Sequence, residues 1–429
     1  MQYYSLNNNA SKVVFSEAVI RGIAPDRGLY FPEKITPLPA SFFDTIENLD
    51  NVEIAFQAIK QFVGDEIPEK ELREILEDVL SFDFPVVQVE ENIGTLELFH
   101  GPTMAFKDVG ARFMARCLGY FNRNNENHVT VLVATSGDTG GAVANGFLGV
   151  KGVDVVILYP SGKVSEIQEK QLTTLGQNII ALEVDGVFDD CQDMVKTAFL
   201  DTSITEHKQL TSANSINVAR WLPQLFYFLF AYKQVKSKKK DITFSVPSGN
   251  FGNICAGIVA SKLGLPVKHF IASTNINDTV VRYLDTQQYE PRGSKATISN
   301  AMDVGNPSNF IRIQKLFDNS FQELKKSFSA YSFDDDQTRG AMKEVFKTTG
   351  YIADPHGAIG YLGLKKQGLN GNDYGIFLET AHPVKFLDVV EKTLDTRVEI
   401  PPQIEKVMHK EKRSIRIDSY EKLKEFLLK

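Results

Sequence analysis

Cysteine is scarce in this sequence of 429 residues: Cys117, Cys191 and Cys255 are the whole complement. Thiols odd in number and far apart build neither a disulfide framework nor a zinc site. We expect them to pack as small apolar groups in a reducing cytoplasm, with no metal site. A basic excess is also missing. The net charge of −7 excludes a general nucleic-acid binder, which needs a positive face. The longest basic run, three lysines at 238–240, reads as a solvated turn. No apolar run is long enough to span a bilayer. The most apolar window, WLPQLFYFLFAY at 221–232, contains Pro223 and Gln224 and falls short of the ~20 residues required. The opening MQYYSLNNNASK has no apolar stretch behind a positive end, so no export signal is expected. Internal repeats and low-complexity segments are lacking too. What is there, 43% hydrophobic and 24% charged residues, is an ordinary globular composition with chain enough for two or three cores.

From residue 128 onward the chain alternates. HVTVLVAT (128–135), VDVVILYP (153–160) and NIIALEVD (178–185) read as buried strands. Between and after them run helical patterns: GGAVANGFLG, KVSEIQEKQLTTLG (163–176, closing on Gly176) and residues 189–200. A second series comprises DITFSVP (241–247), a helix over 252–263, and VKHFIAS (267–273). Apolar strands alternating with helices predict an α/β fold with two doubly wound parallel-sheet lobes and a ligand between them, beyond the carboxyl ends of the strands. Residues 1–95, with helical patterns but no βαβ rhythm, are expected to form an N-terminal domain. Residues 96–235 would form one lobe, and 236–429 a larger lobe with a charged, partly helical extension.

Three loops follow apolar runs and precede helical segments. TSGDTGGA (135–142) offers hydroxyls and backbone N–H groups. VPSGNFGNICAG (246–257) has the glycine and asparagine content to wrap a phosphate at a helix N-terminus. In YGIFLETAHPVKF (374–386), Glu379 and Thr380 end a strand. Each alone reads equally well as a tight turn. None matches the dinucleotide fingerprint, the Walker loop or the hydrolase elbow.

A lone ammonium stands out in LFHGPTMAFKDVGARF (98–113), where Lys107 opens a helical segment behind an apolar run. The positive end of a helix dipole and an apolar shell both favour a neutral amine. A neutral amine can form a Schiff base with an aldehyde, and a phosphate cradle elsewhere suggests that the aldehyde is pyridoxal phosphate. The competing reading pairs Lys107 with Asp108, or a helix end, at the surface.

Five motifs taken in order, HGPTMAFKDVGARFMA, ATSGDTGGAVA, SANSINVARWLPQ, SVPSGNFGN and LETAHPVKF, resemble threonine synthase, a pyridoxal-phosphate-dependent lyase of the tryptophan-synthase-β fold (fold type II). The resemblance runs from GLYFP (28–32) to about residue 390. It implies a cofactor between the two lobes, with Lys107 as its covalent carrier and as the mobile acid and base. Gly249, Asn250, Phe251, Gly252 and Asn253 would hold the cofactor phosphate, and Thr380 would meet the pyridine nitrogen. Asp138 would stand beside the phenolic oxygen, where the wider fold has an asparagine; a carboxylate there repels that oxygen unless a proton or water is shared. The implied substrate is O-phospho-L-homoserine, converted with water to L-threonine and phosphate by γ-elimination and β-addition of water. A second anion site would draw on Ser212, Asn214, Asn217 and Arg220, with Lys163 beside them, while Ser136 and Thr139 take the substrate carboxylate. Two alternatives stay open: Asn214 and Ser215 as caps of the following helix, and Lys163 as a solvated helix residue. A threonine/serine dehydratase-like β-eliminase would share Lys107 and the cofactor loop but would need no second phosphate site. A non-catalytic binding protein on the same fold would have no use for Lys107. Neither a second copy nor an effector is called for by any motif.

Overall fold

The computed structural model describes residues 1–124 and 128–429. Near the amino end, strands Gln2–Ser5, Val13–Val14 and Tyr30–Pro32 form a small antiparallel sheet with the first strand in the middle. Two amphipathic helices follow. Asp50 caps Asn51–Val63 by accepting from the Glu53 N–H. Glu69–Val79 buries Leu72, Ile75, Leu76 and Val79, the three-and-four spacing that puts one apolar stripe on a helix.

Two open sheets carry the rest. The smaller is parallel throughout, in the order Ile415–Ile417, Ile179–Val184, Val153–Pro160, Val129–Ala134, Gln209–Ser212. The larger runs Phe328–Ser332, His269–Thr274, Asp241–Pro247, Asp373–Glu379, Ile93–Glu97, Val86–Glu90, parallel except for the last pair. Val129–Ala134 and Asp373–Glu379 are buried at every position, so their apolar character is continuous rather than alternating, as interior parallel strands require. This is the expected α/β architecture.

Strand pairing crosses the boundaries expected at 95/96 and 235/236. The hairpin of Val86–Glu90 and Ile93–Glu97 extends the large sheet, and the tail strand Ile415–Ile417 edges the small one. An edge strand joins by backbone hydrogen bonds, and no side-chain period records which sheet it meets. Two helices also differ from expectation. The segment at 163–176 is helical only over Glu166–Thr173, because Ser165 and Gln168 form a capping box there. The aromatic helix near 215–234 is split: Val218–Trp221 and Leu225–Val235 flank a tight 3-10 turn, Leu222–Gln224, that contains Pro223. A proline inside a helix removes a donor and clashes with the preceding turn.

Candidate active site

Lys107 is the first residue of the helix Lys107–Asn122. The chain just before it is clamped to the end of the strand Asp373–Glu379: Ala105 bridges Ala381, and the Phe106 N–H donates to the Thr380 carbonyl at 2.8 Å. Asp138 opens the helix Asp138–Phe147, just past the carboxyl end of Val129–Ala134. The two sheets therefore bring an amine and a carboxylate together at their carboxyl ends, where open α/β sheets bind ligands.

The Lys107 amine makes no hydrogen bond or ion pair among the described residues. Its Nζ lies 5.7 Å from the Phe106 ring centre. It keeps some accessible surface yet is densely surrounded, as a group on the floor of a cleft is. Burial, with Lys385 and Arg220 nearby, pushes the amine down to about 8 against the opposing pull of Asp138. Pairing with Asp108 is ruled out by geometry. That carboxylate is buried and taken by Thr103, whose N–H donates at 2.9 Å and whose hydroxyl donates at 2.5 Å.

Lys385 was not foreseen. It sits in the 3-10 turn Pro383–Phe386, 1% exposed, with Nζ 2.7 Å from Asp138 Oδ1 and 2.9 Å from the Thr103 carbonyl. The Gln168 amide also donates to Asp138 Oδ1, at 3.0 Å. Gln168 comes this close because Gly137 has φ 139° and no Cβ; one built there would stand 2.4 Å from Gln168 Cδ. Burial alone would raise the Asp138 carboxyl, but Lys385 and Lys107 hold it well below the usual carboxylate range. The signal for Lys385 was available in HPVKF: a lone charge among apolar neighbours, as with Lys107.

The loop at 248–253 is tied to the Lys107 helix through residues 213–220. Arg220 donates from Nε to the Ala213 carbonyl at 2.8 Å and from Nη1 to the Lys107 carbonyl at 3.1 Å. Ser215 accepts from the Asn250 amide at 2.8 Å, and Asn250 Oδ1 accepts from the Ser308 N–H at 2.6 Å. Asn253 donates to the Pro247 carbonyl at 2.8 Å. The asparagine side chains thus hold the loop's shape and leave the backbone N–H groups of residues 249–253 to a ligand. Phe251 adopts φ 61°, uncommon for an aromatic residue, and Gly252 begins the helix Gly252–Lys262. A Cβ on Gly249 would lie 2.8 Å from Met302 Cα and 3.0 Å from the Ala301 carbonyl, so the close approach requires glycine.

The remaining expected site residues fall into three groups. Ser136, Thr139 and Thr380 have side-chain hydroxyls with no hydrogen-bond partner among the described residues. Ser212 and Asn214 bond to each other at the cleft edge, the Ser212 hydroxyl donating to Asn214 Oδ1 at 3.3 Å. In the third group, Asn217 is committed to the fold and Lys163 is exposed. Asn217 is 0% exposed; it donates to the Val19 and Ser212 carbonyls and accepts from the Ala219 N–H, capping Val218–Trp221. That cap was expected from Asn214 or Ser215. Lys163 is exposed and lies before its helix rather than in it. Two surface hollows, of about 700 and 590 Å³, contain none of these cleft residues.

An amine of lowered basicity, a glycine-lined cradle at a helix N-terminus and an unengaged hydroxyl at a strand end fit pyridoxal phosphate. Comparison with known proteins agrees. The family described as pyridoxal-phosphate dependent enzyme matches residues 94–378, flanked by threonine synthase N terminus at 2–80 and threonine synthase, C-terminal at 358–427. The threonine synthase of Escherichia coli (strain K12) is 45% identical over 405 residues, 94% of each chain. A crystal structure of the Escherichia coli enzyme superposes with a TM-score of 0.94 at 42% identity, covering 100% of this chain and 99% of that one. A PLP-bound threonine synthase from Brucella melitensis gives 0.93 at 33%, covering 100% and 98%. From its amino-terminal strands to its tail, the chain belongs to the threonine synthase family of pyridoxal-phosphate dependent enzymes.

Proposed function

We propose that this chain is a threonine synthase that converts O-phospho-L-homoserine and water to L-threonine and phosphate, in the cytoplasm, as a step of threonine biosynthesis. The observation that carries the reading is the unpaired, weakly basic amine of Lys107, held where the two sheets meet beside a glycine-lined loop.

Bound pyridoxal phosphate supplies an electron sink for charge developing next to the substrate's amino group. The protein does the rest. Lys107 carries the cofactor and, when released, moves protons at Cα and its neighbours, a task suited to an amine near neutrality. Gly249, Asn250, Phe251, Gly252 and Asn253 offer backbone donors and the positive end of a helix to the cofactor phosphate. The Thr380 hydroxyl meets the ring nitrogen without a charge of its own. Ser136 and Thr139 take the substrate carboxylate, and Ser212, Asn214 and Arg220 its phosphate. Arg220 Nη2 has no partner among the described residues, which leaves one edge of the guanidinium for an anion. In this reading residues 96–235 carry the lysine and substrate contacts, and the large sheet carries the cofactor-phosphate loop.

The test is a coupled measurement on one purified sample of inorganic phosphate and L-threonine formed from O-phospho-L-homoserine. Both should appear in equal amounts. Deamination of L-serine without phosphate release would replace this reading with the dehydratase one.

A further inference from the structure

A carboxylate and an amine of lowered basicity do not share a cleft without help. Asp138 is close enough to Lys107 to raise its proton affinity, and two such groups in a low-dielectric site would ordinarily form an ion pair. They form none here, and Lys385 holds the carboxylate instead. Asp138 Oδ1 receives Lys385 at 2.7 Å and Gln168 at 3.0 Å. Lys385 is anchored from its other side by the Thr103 carbonyl at 2.9 Å, and that carbonyl also accepts from Gln171 at 3.0 Å. The side chains of Lys385 and Asp138 are 0% and 4% exposed, so neither partner is neutralised by solvent instead.

We infer that Lys385 is a positioning residue: it occupies Asp138 so that the Lys107 amine stays unpaired and can carry the cofactor. The inference rests on the cofactor being carried at Lys107. Only the uncharged amine condenses with the cofactor's aldehyde carbon, losing one water as the C=N bond forms. A lysine locked against Asp138 would keep its proton and stay out of that reaction. Lys385 acts in two ways, as a competitor for the carboxylate and as a like charge beside Lys107. The other charged or titratable groups around the amine do not substitute for it. Arg220 is engaged with the Ala213 and Lys107 carbonyls. Tyr227, whose hydroxyl donates to the Phe106 carbonyl, is held neutral by burial. Asp108, on the lysine's own helix, is turned to Thr103. The pair also answers the repulsion expected at the phenolic oxygen, since Asp138 and Lys385 together present no net charge there.

The experiment is the pH dependence of pyridoxal phosphate uptake by the apoenzyme, followed by absorbance, with thermal unfolding as a control for folding. In the unaltered protein the midpoint should lie near 8, where burial and its neighbours put the amine. In Lys385→Met, Asp138 is released to Lys107, and the midpoint should rise by one pH unit or more, which slows uptake at pH 8 by about fivefold or more. Asp138→Asn should move the midpoint down, since it removes the group that favours the proton. Asp138→Asn with Lys385→Met should bring it back toward the unaltered value, and Lys385→Arg should keep it. An unmoved midpoint in Lys385→Met with a lowered unfolding temperature would make the pair structural only and overturn the inference. If Lys385→Met does not fold, the single Asp138→Asn decides: a midpoint unchanged or raised overturns it. Equal covalent uptake by Lys107→Ala would instead remove the underlying placement of the cofactor.

Discussion

Asn217 illustrates how a side chain's prior commitments govern what it can bind. Its amide donates at 2.8 Å to the carbonyl of Val19, almost two hundred residues earlier, and its oxygen caps a helix. Replacing it with alanine leaves two buried carbonyls short of a donor and a helix without its cap. We expect Asn217→Ala to lose about 1–3 kcal/mol of stability, measured by denaturant midpoint, while the KM for substrate changes little in the fraction that remains folded. A large KM change at unaltered stability would return Asn217 to the substrate site. The same reasoning separates what the sequence made legible from what it did not. Lys107 stood out because a charge among apolar neighbours is a local feature. Lys385 is the same kind of feature, but its meaning depends on Asp138, which only the tertiary fold brings near. The Val19 partner of Asn217 was hidden for the same reason.

At the scale of elements, the buried strands and the βα turns were plain in the sequence, since a continuous apolar run and a glycine-rich stop are both local patterns. VDVVILYP and DITFSVP match strands Val153–Pro160 and Asp241–Pro247 residue for residue. The sheet an edge strand joins was not legible, nor was the point where proline breaks the aromatic helix. The cofactor loop shows what an element adds to its residues. Its glycine at 249 lets backbone pass against backbone, with no flexible side chain to yield. Gly249→Ala would force Met302 or the loop to shift, because the added carbon would meet Met302 Cα at 2.8 Å. Gly252→Ala would meet side-chain atoms alone, Ser215 Cβ at 3.2 Å and Asn309 Nδ2 at 3.4 Å. We therefore expect Gly249→Ala to weaken pyridoxal phosphate binding by about tenfold or more and Gly252→Ala to weaken it less. Titration of apoenzyme with the cofactor checks the order, and the reverse order would mean that the close approach at 249 does not shape the phosphate cradle.

Across the whole molecule, the tail closes the small sheet rather than extending the large one. Ile417, Leu423 and Leu427 join the apolar cluster of Leu132, Leu158 and Leu182, and Ile415–Ile417 pairs with that sheet's edge. Lys412 fastens the approach to this strand, 2.6 Å from Glu169 and 2.8 Å from Glu183. Burial would raise the Glu183 carboxyl, but hydrogen bonds from Lys412 and Ser161 outweigh it and hold the group at about 2, against an ordinary value of 4.5. A carboxyl whose proton affinity is lower in the folded protein than in the unfolded chain stabilises the fold above the unfolded value. That contribution is lost as pH falls through the folded one. Stability should therefore decline between about pH 4.5 and 2, in part through release of the tail. In Lys412→Met the Glu183 carboxyl loses its chief partner, so this acid-dependent part should shrink, and proteolysis around residues 409–414 should quicken at neutral pH. Urea midpoints at pH 5 and pH 3 for both proteins measure the difference. Equal drops in midpoint, with unchanged cleavage of the tail, would mean that the strand and its apolar contacts hold the carboxyl end without the ion pair.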